Sequence, residues 1–134
     1  MNITSFAELL VAAQTQLTQQ QLLLVFAKAE LPDDSTDTQK ADFDAGQSGT
    51  LTPVACVDKN ASDLTSFEAL CLEAAEFVPE WDILFAGVLG ARHGQKLKDE
   101  DIDKKMQEVV EWIKVGQIDK LATFDRYGSA VNLL

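Results

Sequence analysis

The sequence predicts an α/β protein, with α+β as the alternative: a single mixed β-sheet of about five strands, three main helices packed on it, and a hairpin at the carboxyl end. Three observations carry this. Helical and strand-like apolar rhythms alternate along the chain. Two of the strand-like segments are apolar almost without interruption, as strands covered on both faces are. The stretch from Leu51 to Leu89 has the length of a right-handed crossover between parallel strands. At 134 residues the chain has the size of one domain, residues 1–134, able to bury a core without staples.

Each element has its own signal. Ser5 and Glu8 form a capping box, and Phe6, Leu9, Leu10, Ala13 and Leu17 recur at helical spacing, which predicts a helix from Ser5 to Gln16. LLLVFAKA, Leu22 to Ala29, ends before Pro32 and predicts a buried strand; its Leu, Ala, Lys and Glu content leaves a helix as the competing form. Asp33 to Thr52 is polar and rich in turn formers, with a second capping box at Thr36 and Gln39 and a helix-ending Gly46, so a one- or two-turn helix is expected inside a long loop. Leu51 to Val57 predicts the second strand, with Pro53 near its start, where a missing donor costs least.

Ser62 or Thr65 then opens a helix whose apolar face carries Phe67, Leu70, Cys71, Ala74, Ala75 and Val78. Trp81 to Leu89 predicts a central strand. Asp99 to Val115 is the most regular helix: Ile102, Met106, Val109, Val110 and Ile113 form one stripe, Glu100 with Lys104 and Asp101 with Lys105 stand four apart, and Gly116 can close the end. The closing LATFDRYGSAVNLL predicts two short strands around a turn at Arg126 to Ser129.

Composition narrows the function classes. A formal charge of −11 opposes binding to phosphate backbones and to anionic membrane surfaces, so neither nucleic acid nor membrane is an expected partner, although a local basic patch can survive inside an acidic total. No apolar run approaches the ~20 residues that span a bilayer, and the opening MNITSFAELL lacks a secretory pattern. Cys56 and Cys71 match no redox or zinc spacing. A cytoplasmic protein with reduced thiols is therefore expected, and its Asn60-Ala61-Ser62 sequon is idle.

In open α/β sheets ligands sit beyond the carboxyl ends of the strands. If the first three strands run parallel, those ends gather Lys28 and Glu30, Asp58 and Lys59, and Arg92 and His93 on one rim; Asp125 and Arg126 join if the fourth strand shares the direction. There Asp58 and His93, the chain's single histidine, are the candidate catalytic groups, as acid or base and as a charge switch near neutral pH. Glu30, Lys59 and Arg92 are the candidate ligand-binding groups, with Arg92 as an anion clamp. The competing explanation is that strand ends are simply where chains meet water.

Glycines 87, 90 and 94 in GVLGARHG, beside Arg92, Lys96 and Lys98, could admit a phosphate, but no dinucleotide or P-loop spacing is present. The following helix moreover opens with Asp99, Glu100 and Asp101, whose charge opposes an anion. No cofactor and no metal site are expected: one histidine cannot build a histidine-rich site, and Asp33, Asp34, Asp37, Asp42 and Asp44 fit a solvated loop better than a calcium loop. Cys56, in an apolar strand, is expected to act as a small hydrophobe, and no serine or threonine sits in a nucleophile elbow.

The segments LLLVFAKAELPDD, LTPVACVDKN and FDRYGSAVNL together resemble a family of small bacterial proteins of about this length, some of which carry the label ribonucleotide reductase subunit alpha. The resemblance covers most of the chain and rests on wording, not on a catalytic motif. Such a label implies a radical-forming cysteine opposite a redox pair in a large barrel; this chain has Cys56 and Cys71 alone, so no residue role carries over beyond association with such a pathway.

The expected function is that of a binding or interaction module, recognising a partner protein or a small polar ligand, without a recognisable catalytic motif. The long polar loop from Asp33 to Gly49 offers a surface for this. The alternative is a small enzyme built on Asp58, Arg92 and His93. A third expectation is a homodimer in which the last strand, Val131 to Leu134, pairs with its copy.

Overall fold

A computed structural model describes residues 3–30, 50–78, 80–92 and 95–131. The elements, in chain order, are α1 (Phe6–Gln14), β1 (Gln20–Glu30), β2 (Thr50–Asn60), α2 (Phe67–Ala74), β3 (Ile83–Gly90), α3 (Asp99–Lys114) and β4 (Ala122–Phe124). The short helix expected near Thr36 to Gly46 lies outside the described residues.

Among the described residues the sheet is four-stranded, in the order β2-β1-β3-β4, and every neighbouring pair is antiparallel. This corrects the expected mixed sheet of about five strands. β1 and β2 pair from Gln21↔Asn60 to Glu30↔Thr50, so the chain leaves β1 and returns beside it as an antiparallel pair. β2 and β3 do run in the same direction, as the crossover length predicted, but β1 lies between them. Of the expected terminal hairpin, the described residues show β4, the turn, the bridge Phe124↔Ala130 and the Val131 N–H donating to the Thr123 carbonyl at 2.9 Å, with a further bridge Ser5↔Ser129; the rest of the strand expected over Val131 to Leu134, and with it the expected dimer pairing, lies outside the described residues.

Alternation along β1 places the two cores. Leu22, Leu24 and Phe26 face α1 and α2, where Phe6, Leu10, Leu70 and Ala74 complete the layer. Leu23, Val25 and Ala27 face α3, meeting Ile102, Val109 and Ile113. All six β1 side chains are fully buried, which explains an apolar run in an antiparallel sheet: helices cover both faces. Aromatic rings knit the first layer, with centroids of Phe6 and Phe124 at 5.5 Å and of Phe26 and Trp81 at 5.0 Å.

Helix ends follow local chemistry. The Ser5 hydroxyl accepts from the Glu8 N–H at 3.3 Å, and the Glu8 carboxylate accepts from the Thr4 N–H at 2.7 Å, one residue earlier than in the usual capping box. α1 stops at Gln14, leaving Leu17 exposed beyond it. α2 is capped by Ser66, whose hydroxyl accepts from the Ala69 N–H at 3.0 Å; Asn60 instead caps a short 3-10 turn over Ala61–Asp63. α3 ends with Gly116 N–H donating to Ile113 and Gln117 N–H donating to Trp112, a Schellman motif. β2 is an edge strand, with Pro53 in it and a bulge where pairing skips Val54.

Candidate functional site

The antiparallel arrangement splits the expected rim in two. The end of β1, the start of β3 and the end of β4 lie together, so Lys28, Asp125, Arg126 and the Glu30 position sit at one end of the sheet. The ends of β2 and β3 flank the start of β1 at the other end, which brings Asp58, Lys59 and Arg92 there. His93 lies outside the described residues.

The first end is charge-matched. Lys28 pairs with Glu80 at 3.1 Å, and the Asp82 carboxylate accepts from the Ala29 N–H at 2.8 Å. Asp125 is occupied by the turn, accepting from Tyr127 and Ser129 N–H at 2.8 and 3.0 Å. A cleft of about 340 Å³ here is bordered by Lys28, Glu80, Trp81, Asp82, Arg126 and the half-buried Cys71.

The second end is different. A cleft of about 440 Å³ opens between the segment leaving β3 and the first turns of α3, and five cations line it: Arg92, Lys96, Lys98, Lys104 and Lys105. Two carboxylates, Asp101 and Glu108, share the lining. Positions 101, 104, 105 and 108 form one stripe along α3, at the i, i+3, i+4, i+7 spacing. The neighbouring stripe, roughly a quarter to a third of a turn round the helix, carries Ile102, Val109 and Ile113 into the core, so burial of that apolar side fixes where the lysines stand.

Of these cations Lys105 alone forms an ion pair among the described residues, with Glu108 at 3.5 Å. The expected pairs of Glu100 with Lys104 and Asp101 with Lys105 are not formed among the described residues. Lys105 also stands over the Trp112 ring at 4.7 Å, and Lys120 stands over the same ring at 4.9 Å. Asp99 and Glu100 do not line the cleft, so Asp101 is the one member of the acidic opening that bears on an anion there.

Glutamines hold the segment that carries Arg92 and Lys96. The Ala91 N–H donates to the Gln19 carbonyl at 2.8 Å, and the Leu97 N–H donates to the Gln19 side-chain carbonyl at 3.3 Å. The Gln19 amide donates to Gln21 at 3.4 Å, and the buried Gln21 amide donates to the Asp58 carboxylate at 2.8 Å. Sequence reasoning passed over these residues. Their signal was the run Gln19-Gln20-Gln21 directly before an apolar strand, where a buried amide must find partners.

Other expected site residues take structural roles. Asp58 pairs with Leu23, which puts it on the α3 face, whereas Lys59 pairs with Leu22 on the opposite face and forms an ion pair with Glu73. Neither lines the cleft. Gly87 serves packing: a Cβ there would stand 3.2 Å from Val109. Cys56 is exposed on the edge strand, not enclosed as expected, yet its partly covered setting pushes the thiol up from its ordinary value. Burial, with the charge of Glu68 second, does the same to Cys71.

Among the described residues no three of His, Cys, Asp and Glu group to hold a metal ion, and no helix is long and apolar enough to cross a membrane. No family model, no curated protein and no solved structure matches this chain.

Proposed function

We propose that the protein is a binding module whose ligand is a small anion seated in the cleft between the β3 exit and α3. One observation carries this: a chain with 11 basic residues against 22 acidic ones places five of the basic side chains around a single cleft. Arg92, Lys96, Lys98 and Lys104 have no ion pair among the described residues. Unpaired like charges held together repel, and an anion relieves that repulsion. The clamp by Gln19 supports a cleft formed before the ligand arrives, which lowers the ordering cost of binding.

The enzyme alternative built on Asp58, Arg92 and His93 has less behind it. Asp58 is engaged by Gln21 and stands outside the cleft lining. A side-chain amide passes on no proton in its ordinary state, so Asp58 is better suited to fixing Gln21 than to acid–base work on a ligand.

The test is thermal unfolding with sulfate, phosphate, pyrophosphate and citrate at constant ionic strength. Ligands that bind the folded state raise its melting temperature. Arg92→Gln with Lys104→Gln should remove that rise while leaving the ligand-free melting temperature in place; an equal rise in the variant would refute the assignment.

A further inference from the structure

Resting on the anion-binding function just proposed, we infer that the ligand class is a compact polyphosphate: three or more negative charges on adjacent phosphoryl groups, as in pyrophosphate, tripolyphosphate or the phosphate chain of a nucleoside triphosphate. Charge, size and donor type converge on it.

Five cations against two carboxylates leave the cleft strongly positive, while the rest of the molecule carries more than the whole net charge of −11. Both attraction to the cleft and repulsion by the rest grow with ligand charge, but their ranges differ. Screening confines interactions between exposed charges to about 8 Å at physiological salt. Contacts within the cleft therefore survive while distant repulsion fades, and each added ligand charge that reaches a cation there adds to affinity. A long polyanion gains no such advantage, because whatever extends past the rim lies against acidic surface.

The volume of about 440 Å³ falls within the range of roughly 300–1,000 Å³ typical of small-molecule pockets. Its cations come from two elements, Arg92, Lys96 and Lys98 from the β3 exit and Lys104 and Lys105 from α3. A single phosphate or sulfate engages part of that set; a chain of phosphates can engage both elements. Four of the five cations are lysines. Ammonium groups act as point charges toward phosphoryl oxygens, so a lysine-rich lining suits a ligand whose charge is spread over several phosphoryl groups.

Trp112 supplies the readout, since Lys105 borders the cleft and also covers its indole. Fluorescence titrations would compare orthophosphate, tripolyphosphate, citrate and a single-stranded oligothymidylate at one ionic strength without divalent cations. Tripolyphosphate should bind at least about tenfold more tightly than orthophosphate. Lys104→Gln should cost about fivefold, the upper end for one exposed ion pair, and Asp101→Asn should tighten binding by a similar factor. Orthophosphate and tripolyphosphate of equal affinity, both weakened by Lys104→Gln, would overturn the polyphosphate inference and leave the anion site standing. Citrate or the oligonucleotide binding more tightly than tripolyphosphate would overturn it too. No binding by any of the four, or binding untouched by Arg92→Gln and Lys104→Gln, would end both proposals.

Discussion

Gly128 and Gly116 allow backbone strain and side-chain crowding to be separated in one protein. Both have φ near +80°, a conformation an L-residue adopts only at a cost. A Cβ on Gly116 would meet nothing within 4 Å, whereas one on Gly128 would stand 3.1 to 3.3 Å from three atoms of the Phe67 ring. Gly116→Ala should therefore cost about 1 kcal/mol, the left-handed penalty of roughly 1–2 kcal/mol reduced by the lower entropy of the unfolded chain. Gly128→Ala adds displacement of Phe67, which packs at 5.4 Å from Phe6 and 6.4 Å from Trp81. That half-buried ring would have to shift against both neighbours, so about 1–3 kcal/mol of overpacking is expected on top, or about 2–4 kcal/mol in all. The turn is also tied to α1, the Phe6 N–H donating to the Gly128 carbonyl at 2.7 Å, so its displacement is not local. Urea unfolding followed by circular dichroism gives both values. In a Phe67→Leu background the excess cost of Gly128→Ala should shrink toward that of Gly116→Ala. Equal destabilisation by the two substitutions in the parent protein would refute the crowding account.

Two further outcomes follow from shifted protonation. The Thr4 N–H holds the Glu8 carboxyl below the ordinary glutamate value, so its stabilising effect is present above that value and fades as pH falls through the lowered one. An NMR titration of Glu8 should show a midpoint below about 4.3, and Glu8→Gln should remove that part of the acid dependence of stability; a midpoint at or above that value would contradict the hydrogen bond. Burial pushes both thiols up, so iodoacetamide should alkylate Cys56 and Cys71 more slowly at pH 8 than it does free cysteine, with rates that keep climbing above the usual thiol value. The same shift makes stability decline as pH rises from the ordinary thiol value toward the raised one. Alkylation as fast as that of a free thiol would contradict the shift.

Element positions were largely legible because they depend on local rhythm. The helix expected over Asp99 to Val115 is α3, Asp99–Lys114, and the strand expected over Leu22 to Ala29 is the centre of β1, Gln20–Glu30. Direction was not legible. An apolar run such as Leu22 to Ala27 reports that both faces are covered, and it reads the same whether the neighbours run parallel or antiparallel. Strand direction is set by which backbone groups pair across the sheet, and side-chain type carries little of that information. Direction decides the site: parallel strands would put Glu30 and Lys28 with Asp58 and Arg92, whereas the antiparallel sheet puts them at the opposite end. The basic cleft was half legible. Arg92, Lys96 and Lys98 are close in sequence, but Lys104 and Lys105 join them only because burial of Ile102, Val109 and Ile113 fixes the rotation of α3. The acidic opening of that helix looks prohibitive in one dimension, yet of its three carboxylates Asp101 alone lines the cleft among the described residues.

Among the described residues no strand pairs with the outer margin of β2, which has a consequence for crowded solutions. An uncovered strand is a template onto which another molecule's backbone can zip, the first step toward stacked ribbons. Pro53 contributes no N–H to such a template, and the skipped pairing at Val54 twists the strand there, so the flat run open to recruitment is confined to the stretch after it. That stretch ends in Asp58 and Lys59, whose charges resist being stacked in register on identical neighbours. The bulge that costs this strand one rung of its ladder thereby helps keep each molecule separate.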